Sequence, residues 1–243
     1  MSLKLFLDMI SQPCRSVFLF AKKNNLPVEV KLISLKNGEQ HTEKFRKVNP
    51  LRKVPALKDG DFCMGESIPM MEYMAEKFNT PDHWFPKDLQ KRARVNEYLS
   101  WQHLGIRMHG SKIFVMKVSV IDGPVVKLEV PEDKMARAME DLNWSLDLIE
   151  KTFIKDGGFI GGEQISIADL VAIVEIMQPF ASGVDVFQGR AKLSAWKERV
   201  VQAVGKELFD EAHKTILSAK DSVKQLDSSK VEYFRPRVLR LIS

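Results

Sequence analysis

Ser11 is the first residue whose type and placing could do chemistry. It stands just before Pro13, where the short apolar run Leu3-Lys4-Leu5-Phe6-Leu7 and the turn Asp8 to Gln12 give way to a helical pattern. Proline suits the first turn of a helix, because its missing N–H costs nothing there. The Ser11 hydroxyl and the free N–H groups of the helix start therefore point to one place. A hydroxyl is a poor base near neutral pH but a good donor to an anion. A thiolate would be one such anion: a free thiol has a pKa of about 8.5, and helix ends or positive neighbours bring it to roughly 3.5–7.5. From these residues alone, a plain helix N-cap accounts for Ser11 better than catalysis does. Cys14 is the rival nucleophile. Ser11-Gln12-Pro13-Cys14 occupies the place of a Cys-x-x-Cys pair in disulfide-exchanging proteins. Serine holds the attacking position of that pair here, and Cys14, on the first turn, is expected to face inward.

The second group lies between Val48 and Ser67, VNPLRKVPALKDGDFCMGES. Asp59-Gly60 between two short apolar runs predicts a hairpin with a type I′ turn. Pro55 cannot donate to a ladder, so it belongs at the first residue of a strand or on an exposed edge. An exposed edge at Val54 would pair with an extended peptide. Cys63, in the second hairpin strand, is expected in the core. Gly65-Glu66-Ser67 opens a helical pattern whose N-terminus offers N–H groups to an anion. A peptide-pairing edge beside an anion pocket suits a small, extended, acidic peptide.

The elements that must position these residues follow from periodicity. Val17, Phe18, Ala21 and Leu26 recur at helical spacing, and Lys22-Lys23 place the right charge at the helix C-terminal end. Val28, Val30, Leu32 and Ile33 predict a second strand, giving a right-handed βαβ unit. Asn37 to Lys47 reads as a short, loosely held helix, and Glu66 to Phe78 as a firmer one. Residues 79–87, with Pro81 and Pro86 and no periodicity, form a linker that Trp84 and Phe85 pin to the body. Beyond it all is helical: one long helix from Asp88 to about Val118, a break at Asp122-Gly123-Pro124, and a helix opened by Pro131. Gly157-Gly158 and Gly161-Gly162 bracket a tight crossing, and helices follow over Arg190 to Val204 and Lys206 to Lys224. Ser166 and Asp169 form a capping-box variant that starts a buried central helix, Ser166 to about Phe180. The expected division is 1–78, an α/β domain; 79–87, the linker; 88–228, an all-helical domain; and 229–243, a C-terminal segment.

Composition excludes several classes. At 243 residues, with 44% apolar and 28% charged residues, the chain has the make-up of a soluble globular protein of two ordinary domains. No run of 18 apolar residues exists, so no membrane span or membrane partner is expected, and the apolar start reads as a strand, not a signal peptide. Two cysteines make no disulfide framework and point to a reducing, cytoplasmic setting. The net charge of +5 is spread and interleaved with acids, which fits solvated faces and attraction of an anionic cosubstrate rather than nucleic-acid binding.

The stretch Val48 to Ser67, together with Leu3 to Lys23 (LKLFLDMISQPCRSVFLFAKK), resembles cytosolic glutathione transferases and, within them, the theta class. The resemblance covers nearly the whole chain. It implies a thioredoxin-like α/β N-terminal domain followed by an all-α domain. It implies an enzyme that attacks small alkyl halides and reactive sulfate esters with the glutathione thiolate, and organic hydroperoxides as a peroxidase. Glutathione is then a cosubstrate, with no tightly bound cofactor and no metal, and the assembly a homodimer. The catalytic serine of the class falls on Ser11. The implied glutathione contacts are Lys53, Val54, Glu66, Ser67 and the region of Gln40 and His41, with Val54–Pro55 in the cis form. Ser67 would hold the γ-glutamyl carboxylate, Glu66 its amino group, Val54 the cysteinyl backbone, and Lys53 and His41 the glycyl carboxylate. The electrophile site would lie over Ser11, against Gln102, Arg107, Met108 and Phe114, with Arg237 in a tail that caps the site. Two departures stand out. Gly38-Glu39-Gln40-His41 carries one residue more than the Gly-Gln-His run of the class, so Gln40 and His41 compete for one position. Met64-Gly65 stands where Leu-Thr is commoner. Two other readings compete: a glutathione-fold binding module without turnover, and a thiol–disulfide oxidoreductase working through Cys14.

Overall fold

In the computed structural model, which describes residues 2–121, 130–224, 229, 232, 235, 236 and 238–240, the first apolar run is strand β1 (Leu3–Leu7). Leu3, Leu5 and Leu7 are buried and the alternate residues half-exposed, the period-two pattern of a strand packed on one face. Helix α1 (Gln12–Lys23) is buried at every residue from Gln12 to Ala21. It has cover on all sides because it packs on the sheet domain and on two helices of the second domain. β2 (Val28–Leu32) returns parallel to β1, completing the βαβ unit. Asn37 to Lys47 holds a 3₁₀ turn, Glu39–His41, and the single-turn α2 (Glu43–Arg46), which the Thr42 hydroxyl caps by accepting from Phe45 N–H.

β3 (Ala56–Asp59) and β4 (Phe62–Met64) form the expected hairpin, and the strand order is β2-β1-β3-β4. Two details differ from the sequence reading. The two-residue loop is Gly60-Asp61, and only Gly60 (φ 60°) is left-handed, the pattern of a type II′ turn with glycine first. And β3 is internal, paired on one side with β1 and on the other with β4, so no sheet edge is open along it. Val54 lies before the first paired residue, Ala56, so it is free of the ladder because the strand has not yet begun. Cys63, on the edge strand β4, is half-buried rather than core.

α3 (Ser67–Lys77) closes the first domain. The following segment is pinned as expected. Trp84 is buried edge-on to Phe20 at 5.7 Å between ring centres, and His83 Nδ1 donates to the Ile165 carbonyl at 2.7 Å. Helices then take over: α4 (Leu89–Trp101), α5 (Ile106–Val115) running into a π-helical turn (Met116–Ile121), and α6 (Glu132–Leu148) ending in another (Ile149–Phe153). The single long helix expected from Asp88 is thus two. The Trp101 ring lies over Gly105, where an added Cβ would meet it at 2.7 Å, and the Gly105 backbone (φ −92°, ψ −117°) is not helical.

α7 (Ile167–Ala181) is the buried axis of the second domain, started by the expected capping box. Ser166 Oγ accepts from Ala168 N–H at 3.2 Å, and the Asp169 carboxylate accepts from Ser166 N–H at 2.9 Å. Its other oxygen accepts from Ile160 N–H and Trp196 Nε1–H, both at 2.8 Å. Asp169 thus ties the glycine-rich loop and α8 (Ala191–Val204) to the same helix start. Gly158 passes within reach of Gly162, where a Cβ would come 2.6 Å from the carbonyl oxygen, which is the tight crossing that the four glycines predict. α9 (Lys206–Leu217) and α10 (Ala219–Lys224) follow, separated at Ser218 where one helix was expected. Of the tail, Val238 is buried; Tyr233, Phe234 and Arg237 lie outside the described residues. No helix among the described residues is long and apolar enough to cross a membrane.

Candidate functional site

The loop between β1 and α1 is organised by Asp8. Its carboxylate accepts from Ile10 N–H at 3.0 Å and from Leu35 N–H at 2.8 Å, and its carbonyl accepts from Ser11 N–H. Ser11 then takes the N-cap position of α1 (φ −82°, ψ 125°), yet its hydroxyl caps no backbone N–H. The plain N-cap role thus leaves the hydroxyl unspent. It lies against the Cys14 thiol, on which it and the Asp8 backbone exert a downward pull. Burial outweighs that pull and pushes the Cys14 thiol up to about 12, with no exposed surface. A thiol so protonated and enclosed is no attacking group at neutral pH, which counts against the oxidoreductase reading.

Across from α1, two residues with left-handed backbones bracket a cleft: Arg52 (φ 54°) and Glu66 (φ 67°). Such conformations are unfavourable for side chains with a Cβ and persist where the surroundings enforce them. Asn49, 3% exposed, enforces the first. Its Nδ2 donates to the Lys53 carbonyl at 2.8 Å, its Oδ1 accepts from Leu51 N–H at 3.0 Å, and its carbonyl accepts from Arg52 N–H at 2.9 Å. Gly65 touches the same side chain: an added Cβ would come 3.1 Å from Nδ2. The departure at Gly65 thus stands where Asn49 crowds the chain. Past Pro55, in the cis form that the resemblance implies, the chain enters β3.

The cleft has a volume of ≈ 260 Å³ and is lined by Lys53, Val54, Glu66, Ser67, Arg107 and His103, with Pro13, Asn49 and Pro55 completing the wall. Ser67 is the first residue of α3, so the free N–H groups of that helix start open here. Positive charge from Lys53 and Arg107, the helix start, and one carboxylate, Glu66, fit a ligand with acidic ends and one ammonium. A second cleft of ≈ 380 Å³ between α3 and α4 shares Glu66, Ser67 and His103. His103 was not foreseen. Burial, then Arg107, lowers its pKa, while Glu66 pulls the other way. Its signal in the sequence was Trp101-Gln102-His103 just before Gly105, legible only once the helix is known to break there.

The remaining candidates fall elsewhere. Gln40 is buried and His41 exposed, and neither lines the cleft. Met108 is 47% exposed on α5 and is not among the residues that line the cleft. Gln102 is wholly buried just past α4, with neither amide atom hydrogen-bonded, because it continues the core-facing stripe of Val95, Tyr98 and Leu99. Phe114 packs with Val118, Ala181, Ile216 and Ala219 in an apolar cluster that reaches Ile10, next to Ser11. Among the described residues, no group of His, Cys, Asp and Glu is placed to hold a metal ion.

Residues 5–82 match the family model for the glutathione S-transferase N-terminal domain, and residues 106–203 that for the C-terminal domain. The chain is 44% identical to glutathione S-transferase theta-3 of Mus musculus over the whole of both, and 47% identical to the theta-1 enzyme of Homo sapiens over 91% of each. Its structure matches the apo form of human glutathione S-transferase T1-1 at a TM-score of 0.93, with 44% identity and full coverage of both chains. It matches human theta-2, in complex with glutathione and an unknown ligand, at 0.89, with 41% identity over 99% of this chain and 98% of that one. A human theta-class enzyme holding the glutathione conjugate of 1-menaphthyl sulfate matches at 0.88, with 41% identity over 99% of this chain and all of the other.

Proposed function

The chain belongs to the theta class of the glutathione S-transferase family, and from that premise we propose that the cleft between Lys53 and Arg107 holds glutathione for attack on small electrophiles through Ser11. One observation carries the reading: Lys53, Val54, Glu66, Ser67 and Arg107, from distant parts of the sequence, line a single cleft beside the start of α1. Ser67 and the N–H groups of α3 take the γ-glutamyl carboxylate, Glu66 the ammonium, and the Val54 backbone the cysteinyl unit. Lys53 takes the glycyl carboxylate. The thiol then comes to the Ser11 hydroxyl, which donates to the thiolate and holds it ionised.

The substrate class we assign is the small alkyl halides and reactive sulfate esters. The thiolate sulfur forms a bond to the electrophilic carbon. The carbon–halogen or carbon–oxygen bond breaks, and halide or sulfate leaves with the electron pair. Arg107 offers charge to that anion, and the apolar cluster from Ile10 to Phe114 offers a face to the carbon skeleton. The relative that holds a conjugate of 1-menaphthyl sulfate supports this class. We assign residues 1–78 to glutathione binding, 79–87 to the linker and 88–228 to the electrophile. We also propose a homodimer, in which a second copy covers the cleft between α3 and α4, and a cytoplasmic enzyme that works without a membrane.

Conjugation measured with Ser11→Ala tests the core of this reading. A hydrogen bond to a charged group is worth about 1.5–3 kcal/mol, so kcat/KM should fall roughly tenfold to a hundredfold with the melting temperature unchanged. Undiminished turnover would remove Ser11 from the mechanism.

A further inference from the structure

Between Leu170 and Met177, α7 is apolar except for Glu175, whose side chain is 1% exposed. A carboxylate at that depth is costly unless partnered. Its Oε1 faces the Arg107 guanidinium at 3.8 Å, the Gln12 amide reaches it from α1, and Oε2 has no hydrogen-bond partner. A second cation, Arg15, also acts on it, but Arg15 is committed elsewhere. Its terminal nitrogens donate to the carbonyls of Met9, Ile10 and Val174 and to Gln178 Oε1. Of the two guanidiniums, only that of Arg107 lines the cleft, with about a third of its side chain exposed.

We propose that Glu175 is a positioning residue of the glutathione site, tethering the Arg107 guanidinium at the cleft wall from inside the helical domain. The proposal rests on the glutathione reading above. At 3.8 Å the pair is an ion pair rather than a short hydrogen bond, so it orients Arg107 without consuming its donors. The five N–H donors of a guanidinium leave several for an anion in the cleft. Gln12 adds a geometric link. It follows Ser11 directly, its Nε2 donates to Ser111 Oγ at 2.9 Å, and Ser111 lies on the same helix as Arg107. The start of α1, the wall of α5 and the axis of α7 are thereby fixed to one another at the carboxylate.

The tether depends on charge, and the groups around it are Arg15 on α1, Tyr98 on α4, Arg107 on α5 and, beyond Arg15, His213 on α9. Burial pushes the Glu175 carboxyl up to about 7 against the pull of Arg107 and Arg15. Arg107 is therefore held firmly above that pH and released below it.

A double-mutant cycle tests this. Glu175→Gln keeps the shape and removes the charge; with glutathione varied against a fixed alkyl halide, it should lower kcat/KM about tenfold and abolish a step near pH 7 in its pH profile. In an Arg107→Ala background the same change should have no further effect. An equal loss in both backgrounds, or an unchanged pH profile, would overturn the tether. Should Glu175→Gln not fold, Glu175→Asp, which keeps the charge one carbon farther back, carries the same cycle and should also lose its effect without Arg107; an equal loss in both backgrounds overturns the tether there too. Absence of any glutathione-dependent turnover or thermal stabilisation in the unaltered protein would overturn the glutathione reading itself, and the tether with it.

Discussion

Asn49→Ala isolates the loop that presents Lys53 and Val54 to the cleft. The substitution removes two side-chain hydrogen bonds, to the Lys53 carbonyl and from Leu51 N–H. At about 1 kcal/mol each they sum to about 2 kcal/mol. Leu51, Arg52 and Lys53 are exposed, so water takes up the freed backbone groups, and the cost stays near that sum. The left-handed Arg52 then loses the side chain that defines its turn and relaxes. Glutathione must reorder the loop on binding, so its KM should rise by up to roughly thirtyfold, the equivalent of about 2 kcal/mol. Ser11 and Arg107 lie on other elements, so kcat should hardly change, the pattern of lost uniform binding. Steady-state kinetics with glutathione varied, alongside urea unfolding, measures both effects. A KM within twofold of the unaltered protein, together with the full loss of stability, would refute the claim that this loop forms the glutathione wall.

Asp169→Ala leaves the N–H groups of Ile160, Ser166 and Trp196 Nε1 without their buried acceptor. At about 1–3 kcal/mol apiece, and after relief of a carboxyl that burial pushes up to about 6, chemical unfolding should show a loss of roughly 2–5 kcal/mol; a loss under ~1 kcal/mol would show that the donors find other partners. His213 is buried with Nδ1 donating to the Phe209 carbonyl, and burial lowers its pKa from 6.5 to about 3. Between those values the unfolded chain binds a proton that the folded one refuses, so stability falls as pH drops through 6.5, by about 1.4 kcal/mol per unit. His213→Phe should flatten this part of the acid profile; parallel profiles for the two proteins would contradict it.

The sequence disclosed whatever rests on local rules. The βαβ unit, the hairpin, the pinned linker and the Ser166–Asp169 box follow from period, turn residues and caps, and the structure has all of them. What it concealed depends on contacts between distant residues. The break at Gly105 exists because the Trp101 ring needs the space a Cβ would fill, and no periodicity reveals that. Val54 reads as an edge because proline disrupts a ladder, but the partners of β3 on both sides are set by topology. Asn49 and His103 carry no motif; they gain meaning when the loop and α4 meet at one cleft. Gln102 fails for a different reason: it stands on the same helical stripe as the buried Val95, Tyr98 and Leu99, so it faces the core and not the cleft.

Helix α1 gives the two domains a shared history. It is buried between α3 on one side and α7 and α9 on the other. Recombination at the linker would transplant a helix whose far surface is shaped by another domain's side chains. A foreign N-terminal half would arrive with Arg15 seeking the Val174 carbonyl and Gln178 Oε1, and with Gln12 seeking Ser111. Substitutions on α7 are therefore answerable to α1, and those two helices must drift together. The boundary expected at residues 79–87 divides the chain on paper, but contacts between α1 and α7 tie its two sides together.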